Sequence, residues 1–303
     1  GRYSGARKSR IGQVTEKPPS GPGEHQASAA GEHHAYIPAM EDIEFLHGES
    51  ARAVRLQLDY LKPEGQLAAH GVRSTVVVFG STRLVEPAIA SARVEHAESA
   101  LRERPDDPAT QREAAVARRL AANSHYYEVA REFSALVAER GRGADGSRPA
   151  IVTGGGPGIM EAANRGAFES GAPSIGLNIT LPREQYPNPY LTPGLCVQFH
   201  YFAIRKLHFL LRARALIAFP GGYGTLDELF ETLTLIQTGK HRPIPVVLVG
   251  RKFWDRAVDF DFLVDEGVIS PADRALVHYA ETANDIWQRL SEWYERAGGS
   301  LFL

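Results

Sequence analysis

The sequence has one cysteine, Cys196, in 303 residues. A single thiol excludes an intramolecular disulfide framework and points to a reducing compartment, so the expected location is the cytoplasm. No apolar run approaches the roughly 20 residues that span a bilayer, and the first residues lack the apolar core of a secretory signal, so the chain reads as soluble. An excess of one charge is also missing, with 34 Lys and Arg against 36 Asp and Glu and a net charge of −2. That balance gives no reason to expect a nucleic-acid polymer or a membrane as partner and leaves small-molecule chemistry or protein contact. Large apolar residues are nearly absent from residues 1 to 38, which therefore cannot bury enough surface to offset chain entropy and are expected to form a flexible tail. His25, His33 and His34 in that tail lack the spaced second pair of ligands that a zinc site needs, so no metal is expected.

What remains is rich enough in apolar residues, at 43% of the chain, for a sizeable core. Residues 39–303 are expected to be a single domain with an N-terminal helical extension over 39–72, where Ile43, Phe45, Leu46, Val54, Leu56 and Leu58 alternate with charges. The first buried-type strand is Ser74 to Phe79, followed by a helix, a turn at Arg104–Pro108 and a longer helix through 86–140. Further strands are expected at Ala150–Thr153, Ser174–Ile179, Cys196–Phe199, Ala215–Phe219 and Ile244–Val249, with a short one near Val277. Helices fall between them, one from about Tyr201 to Arg214 and a last one from about Asn284 to Arg296. This alternation predicts an α/β fold: a Rossmann-like, doubly wound parallel sheet with helices on both faces. In such sheets ligands bind beyond the carboxyl ends of the strands.

Three glycine loops occupy such ends: Gly80–Arg83, Gly154–Gly158 and Pro220–Thr225. Glycines let backbone N–H groups approach an anion, and the helix start behind each loop adds open donors and a positive dipole end. None of the loops is G-x-G-x-x-G or G-x-x-x-x-G-K-[ST], so neither a dinucleotide site nor a P-loop has its fingerprint. The third loop runs on as Thr225-Leu226-Asp227-Glu228, which has the spacing of a capping box, Thr225 accepting from the third helical amide and Glu228 from the cap amide. Glu228 is therefore either half of a cap or a carboxylate offered to a ligand, and local chemistry leaves both readings open.

Gly154-Gly155-Gly156-Pro157-Gly158-Ile159-Met160-Glu161, with Arg205-Lys206 and the stretch Pro220-Gly221-Gly222-Tyr223-Gly224-Thr225-Leu226-Asp227-Glu228, resembles the Lonely Guy (LOG) family. These are nucleoside 5′-monophosphate phosphoribohydrolases often mislabelled lysine decarboxylases. The resemblance runs from about 74 to 298 and is nearest to the longer bacterial members. It implies a Rossmann-like fold, a homodimer or higher homo-oligomer, and no cofactor. The implied reaction is hydrolysis of the N-glycosidic bond of AMP-like nucleotides, cytokinin riboside monophosphates among them, to free base and ribose 5-phosphate. Carried over by motif, Arg205 and Glu228 are the catalytic pair. Gly221, Gly222, Gly224 and Thr225 form the phosphate cradle, and Ser81, Gly155, Gly156 and Gly158 line the nucleotide cleft. Phe202-Ala203-Ile204 stand where plant members have Met-His-x. His208 and Arg212 share a helix face with Arg205 and read as a polar face toward solvent or a neighbouring subunit. Lys206 is the residue that a decarboxylase label would make a Schiff-base lysine, but nothing else supports pyridoxal phosphate. A non-catalytic carrier of a nucleotide or of molybdenum cofactor is the alternative, and the loop 181–193 is either a surface loop or a cover for the cleft.

Overall fold

The computed structural model describes residues 36–141, 143, 146–180 and 186–299. Most of the expected tail, with its three histidines, and residues 181–185 of the proline-rich loop lie outside the described residues. The chain divides into two compact units that meet between Arg55 and Leu56. In the first, the short helix Ile43–His47 is capped by Asp42, whose carboxylate accepts the Phe45 N–H, and Arg55 donates to the Leu46 carbonyl at 2.7 Å.

The second unit is built on seven strands: β1 (Thr75–Phe79), β2 (Ala150–Thr153), β3 (Ser174–Ile179), β4 (Cys196–Phe199), β5 (Ala213–Ala218), β6 (Val246–Val249) and β7 (Val277–Ala280). All pair in parallel in the order 4-3-2-1-5-6-7. The central strands are apolar on both faces because helices cover both. Val76 and Val78 join Tyr127, Phe133, Ile159, Ile286 and Leu290 on one side of the sheet. Val77 and Phe79 join Phe209, Leu229, Ile236 and Trp254 on the other. That is the doubly wound α/β architecture expected from the alternation of patterns.

Strand order matters most for function. From β1 the chain steps outward through β2, β3 and β4, then returns to the opposite side of β1 to lay down β5. The connections after β1 and β5 thus leave in opposite directions, and the crevice between their carboxyl ends is where such sheets take ligands.

Two helical expectations differ from the structure. Residues 86–140 form three helices, Pro87–Glu103, Pro108–Ala122 and His125–Arg140, and not two. The extra break falls at Asn123-Ser124, where the Asn123 amide group donates to the Arg119 carbonyl and the Ser124 hydroxyl to that of Ala121. The helix expected over about 201–214 is shorter, Phe202–Leu211, because β5 starts at Ala213.

Candidate functional site

The three glycine loops meet through one backbone residue. Ser81 donates its N–H to the Pro220 carbonyl at 2.9 Å and accepts the Ile159 N–H on its own carbonyl at 3.1 Å. The loop after β1 is thereby tied to both others. The second loop sits behind the first: Gly158 has φ +73°, and a Cβ there would run into the Ser81 carbonyl and Thr82. Buried Asn188, from the loop after β3, anchors it by donating to the Gly156 carbonyl and to Asn164 Oδ1, each at 3.0 Å, while its N–H reaches the Gly155 carbonyl at 2.9 Å.

In front of these loops lies a cleft of about 660 Å³. Of the residues named from sequence, Ser81, Arg205, Gly222, Gly224, Thr225 and Glu228 line it. Gly155, Gly156, Gly158 and Gly221 are not among its lining residues and stand one layer back, holding the loops in place. Arg83, Met160, Phe202, Tyr223 and Asp227 also line the cleft and had been given no role. Met160 and Tyr223 lay inside the family motifs, and Arg83 closes the first glycine loop, so position in those motifs was the available signal.

A second cavity, of about 540 Å³, lies between the helices Pro87–Glu103 and Pro108–Ala122 and shares only Arg83 with the cleft. Its other lining residues are mostly apolar, including Val85, Ile89, Val116 and Leu120, and it contains neither Arg205 nor Glu228. The residues expected from the sequence to carry the chemistry therefore gather at the first cleft and not at the second.

The helix behind the third loop does not start as the sequence implied. It spans Tyr223–Gln237 with Gly222 at the cap, and no side chain caps it. Thr225 is the third helical residue, and Glu228 lies in the second turn, too far along to reach the cap. The capping box exists in sequence but not in structure, whereas Thr282 and Asp285 form a real one at the last helix. The first helical bond joins the Leu226 N–H to the Gly222 carbonyl, and the N–H groups of Tyr223, Gly224 and Thr225 have no partner among the described residues. Three open donors and a positive dipole end on the wall of a cleft are the elements from which helix-start anion sites are built.

Glu228 is 6% exposed, and its carboxyl makes no hydrogen bond among the described residues. Burial pushes that carboxyl up to about 7, against the lowering pull of the Lys206 ammonium and the Arg205 guanidinium. Arg205 is held by a 2.6 Å bond from Nε to the Leu177 carbonyl and lies over the Phe209 ring at 5.1 Å. Its guanidinium also packs on Gly154, where a Cβ would collide with the Nη2 nitrogen and with Met160. Burial lowers its pKa below the ordinary guanidinium range, and the Glu228 carboxylate works the other way. A guanidinium so basic keeps its charge.

Lys206 points elsewhere, pairing with Asp227 at 3.0 Å and Glu231 at 3.1 Å. Burial works to lower its ammonium, but these two partners outweigh that and hold it above the usual range. A Schiff-base lysine needs the opposite, a neutral amine. His208 and Arg212 do not form a solvent face. His208 is 3% exposed beside Glu64, and Arg212 makes a bidentate pair with Glu64 at 2.6 and 2.9 Å. Among the described residues no cluster of three or more His, Cys, Asp or Glu gathers as a metal site would require, and no helix is long and apolar enough to cross a membrane.

A family model described as "Possible lysine decarboxylase" matches residues 160–290, which include Arg205 and the third loop but not β1 or the loop after it. A cytokinin riboside 5′-monophosphate phosphoribohydrolase of Arabidopsis thaliana is 32% identical over 151 residues, covering 48% of this chain and 69% of that protein. The chain belongs to the Lonely Guy (LOG) family. Another LOG enzyme of the same description, from Oryza sativa subsp. japonica, is 32% identical over 172 residues, covering 55% of this chain and 67% of that one. The solved structure of the molybdenum cofactor binding protein from the phototrophic bacterium Rippkaea orientalis is 19% identical at a TM-score of 0.38, over 55% of this chain and 87% of that one. The LOG relatives thus account for about half of this chain.

Proposed function

We propose that the cleft binds a nucleoside 5′-monophosphate and that the chain hydrolyses its N-glycosidic bond, releasing the free base and ribose 5-phosphate. The observation that carries this reading is Glu228, a buried carboxyl without a hydrogen-bond partner among the described residues, on the wall of a cleft that also holds an uncapped helix start. The relatives' description as cytokinin riboside 5′-monophosphate phosphoribohydrolases supports it.

The phosphate is received by the N–H groups of Tyr223, Gly224 and Thr225, a binding contribution remote from the bond that breaks. As the bond from C1′ to the base nitrogen opens, its electron pair leaves with the base and positive charge builds on the ribose. The Glu228 carboxylate stabilises that charge and takes a proton from the attacking water, whose oxygen bonds to C1′. The departing base receives its proton from solvent. Arg205 orients the ribose or the phosphate with a fixed charge and takes no part in proton transfer.

AMP and a cytokinin riboside 5′-monophosphate are the two substrates to try first. The test is chromatographic detection of free base after incubation of the chain with each. Release of base from either supports the reading. Full recovery of all nucleoside monophosphates tried, purine and pyrimidine alike, overturns it, and recovery of a tightly bound nucleotide intact would turn to the carrier alternative.

The homo-oligomer belongs to the same proposal. Phe202, Leu207 and Leu211 leave apolar side chains exposed along the helix that carries Arg205, a surface that a second copy would cover. Light scattering after size exclusion measures it, and a monomer at micromolar concentration overturns it.

A further inference from the structure

The helix that carries Arg205 cannot cap itself. It starts at Phe202 after Tyr201, and no side chain of its own segment caps its first turn. Arg205 sits in that turn: the first helical bond runs from the Arg205 N–H to the Tyr201 carbonyl at 3.1 Å. A frayed first turn would therefore displace the guanidinium itself, the group the proposed reaction uses.

A hold on the two residues that lead into the helix comes from far away in sequence. Asp59, in the helix Arg52–Ala69, accepts the N–H of His200 at 3.0 Å and the N–H of Tyr201 at 2.8 Å on its Oδ2 oxygen. One turn further along the same helix, Glu64 takes the other end of the Arg205 helix through its bidentate pair with Arg212, the residue at the C-terminal cap. Arg212 also donates to the Val72 carbonyl at 3.1 Å. Between these ends the Tyr60 ring lies 5.2 Å from the ring of His208. A carboxylate at a helix start and a paired guanidinium at its end each match the sign of the helix dipole there. Glu64 is held below the usual carboxylate range by its hydrogen bonds from Arg212, against the raising effect of burial.

We propose that Asp59 is a positioning residue for the reaction, a carboxylate that fixes the entry of the helix at His200 and Tyr201 and, through the Tyr201 carbonyl, the turn holding Arg205, with Glu64 as the matching clamp at the other end of the same helix. The inference rests on the reading of Arg205 given above. It assigns a role to a segment outside the span matched by the family model. A bare packing contact would stabilise the fold uniformly. A hold on the helix entry acts on one turn, and its loss is read where that turn is read.

The test compares the full chain with its Asp59→Ala, Asp59→Asn and Glu64→Gln variants by two independent measurements. Amide hydrogen exchange reports the turn. Asp59→Ala is expected to speed exchange about tenfold at Tyr201, whose N–H loses its acceptor, and at Arg205, whose acceptor is the Tyr201 carbonyl, while the Tyr223–Gln237 helix keeps its protection. Steady-state hydrolysis of AMP reports Arg205. The same variant is expected to lose about tenfold in kcat with a smaller change in KM, and Asp59→Asn, which keeps one acceptor oxygen, is expected to recover part of both effects. Glu64→Gln, which keeps one acceptor oxygen for Arg212 but loses the second hydrogen bond and the charge, is expected to show the smaller loss.

Unchanged exchange at the first turn in Asp59→Ala overturns the positioning role, and so does faster exchange with unchanged kcat. Equal acceleration in both helices reduces Asp59 to general stability and also overturns it. If the parent chain releases no base from any nucleotide, the proposed reaction fails on its own. The exchange measurement then still decides whether Asp59 fixes the helix entry and the turn behind it.

Discussion

Glu228 and Arg205 line one cleft from two different helices and form no ion pair across it. Each feels the other's charge, yet Arg205 is engaged with the Leu177 carbonyl and the Phe209 ring, while the Glu228 carboxyl has no hydrogen-bond partner among the described residues. A closed pair would fill the cleft and hold Glu228 permanently ionised. The open arrangement leaves room for a sugar between a fixed cation and a carboxyl whose proton is loosely held near neutrality.

The first prediction concerns that cost. A carboxyl near 7 in the folded chain and near 4.5 unfolded carries no penalty below about pH 4.5, a growing one through the interval, and the full one, up to about 3 kcal/mol, above pH 7. Glu228→Gln removes the charge without changing the shape. It is expected to raise the melting temperature at pH 8, to leave it unchanged at pH 4, and to lower hydrolysis by about 10²–10⁴-fold. Thermal scans at the two pH values with a base-release assay check all three, and undiminished hydrolysis would remove Glu228 from the chemistry.

The pH–rate profile follows from the same group. The carboxylate is the working form, so kcat/KM is expected to rise with pH and level off above about 7. A bound phosphate dianion adds negative charge nearby and raises the carboxyl further, so the kcat profile is expected to be displaced to higher pH than that of kcat/KM. A profile that falls through this range would assign Glu228 the role of proton donor.

The third prediction separates two glycines of one loop. A Cβ on Gly221 would run into the Thr225 side chain, whereas a Cβ on Gly224 meets nothing within 4 Å. Gly221→Ala is therefore expected to destabilise the chain. Gly224→Ala, in the first turn of a helix, is expected to stabilise it by about 0.5–1 kcal/mol. If the Gly224 N–H receives a phosphate at close range, the same methyl obstructs it. Calorimetric titration with AMP should then show at least tenfold weaker binding by the more stable variant. Unchanged affinity would mean that the phosphate does not approach this residue.

The sheet was legible because burial leaves a strong trace: Val76, Val77 and Val78 are all fully covered, and only strands with helices on both faces read so uniformly apolar. The glycine loops were legible as strand-end turns for the same local reason, since a strand ending in glycines before a helix is a pattern of neighbours. The position of Thr225 was not. A capping box is a statement about four residues, and the actual start at Tyr223 goes with a hold from outside them, the Ser81 N–H on the Pro220 carbonyl. The break at Asn123 carries neither glycine nor proline and so gave no turn signal. Asp59 was invisible for a plainer reason. It lies 142 residues from Tyr201, and no periodicity connects them.

The last prediction tests the support behind the cleft. Asn188 is 7% exposed, donates to the Gly156 carbonyl and to Asn164 Oδ1, and accepts the Tyr190 N–H at 3.1 Å. Asn164 in turn accepts from the Thr153 hydroxyl at 2.6 Å, and that hydroxyl accepts the Gly155 N–H at 2.9 Å. Asn188→Ala leaves the Gly156 carbonyl buried without a donor, at an expected cost of about 1–3 kcal/mol. Asn188→Asp keeps the shape but turns a carboxylate oxygen toward two acceptors, so at pH 7 it is expected to be the more damaging variant. Protonation restores one donor at that place, so the gap between the two variants should narrow as the pH is lowered. Denaturant unfolding at pH 7 and pH 4.5 measures the gap. A constant gap would mean that the side chain acts there by volume and not by hydrogen bonding, and the loop behind Ser81 would then owe its shape to its glycines alone.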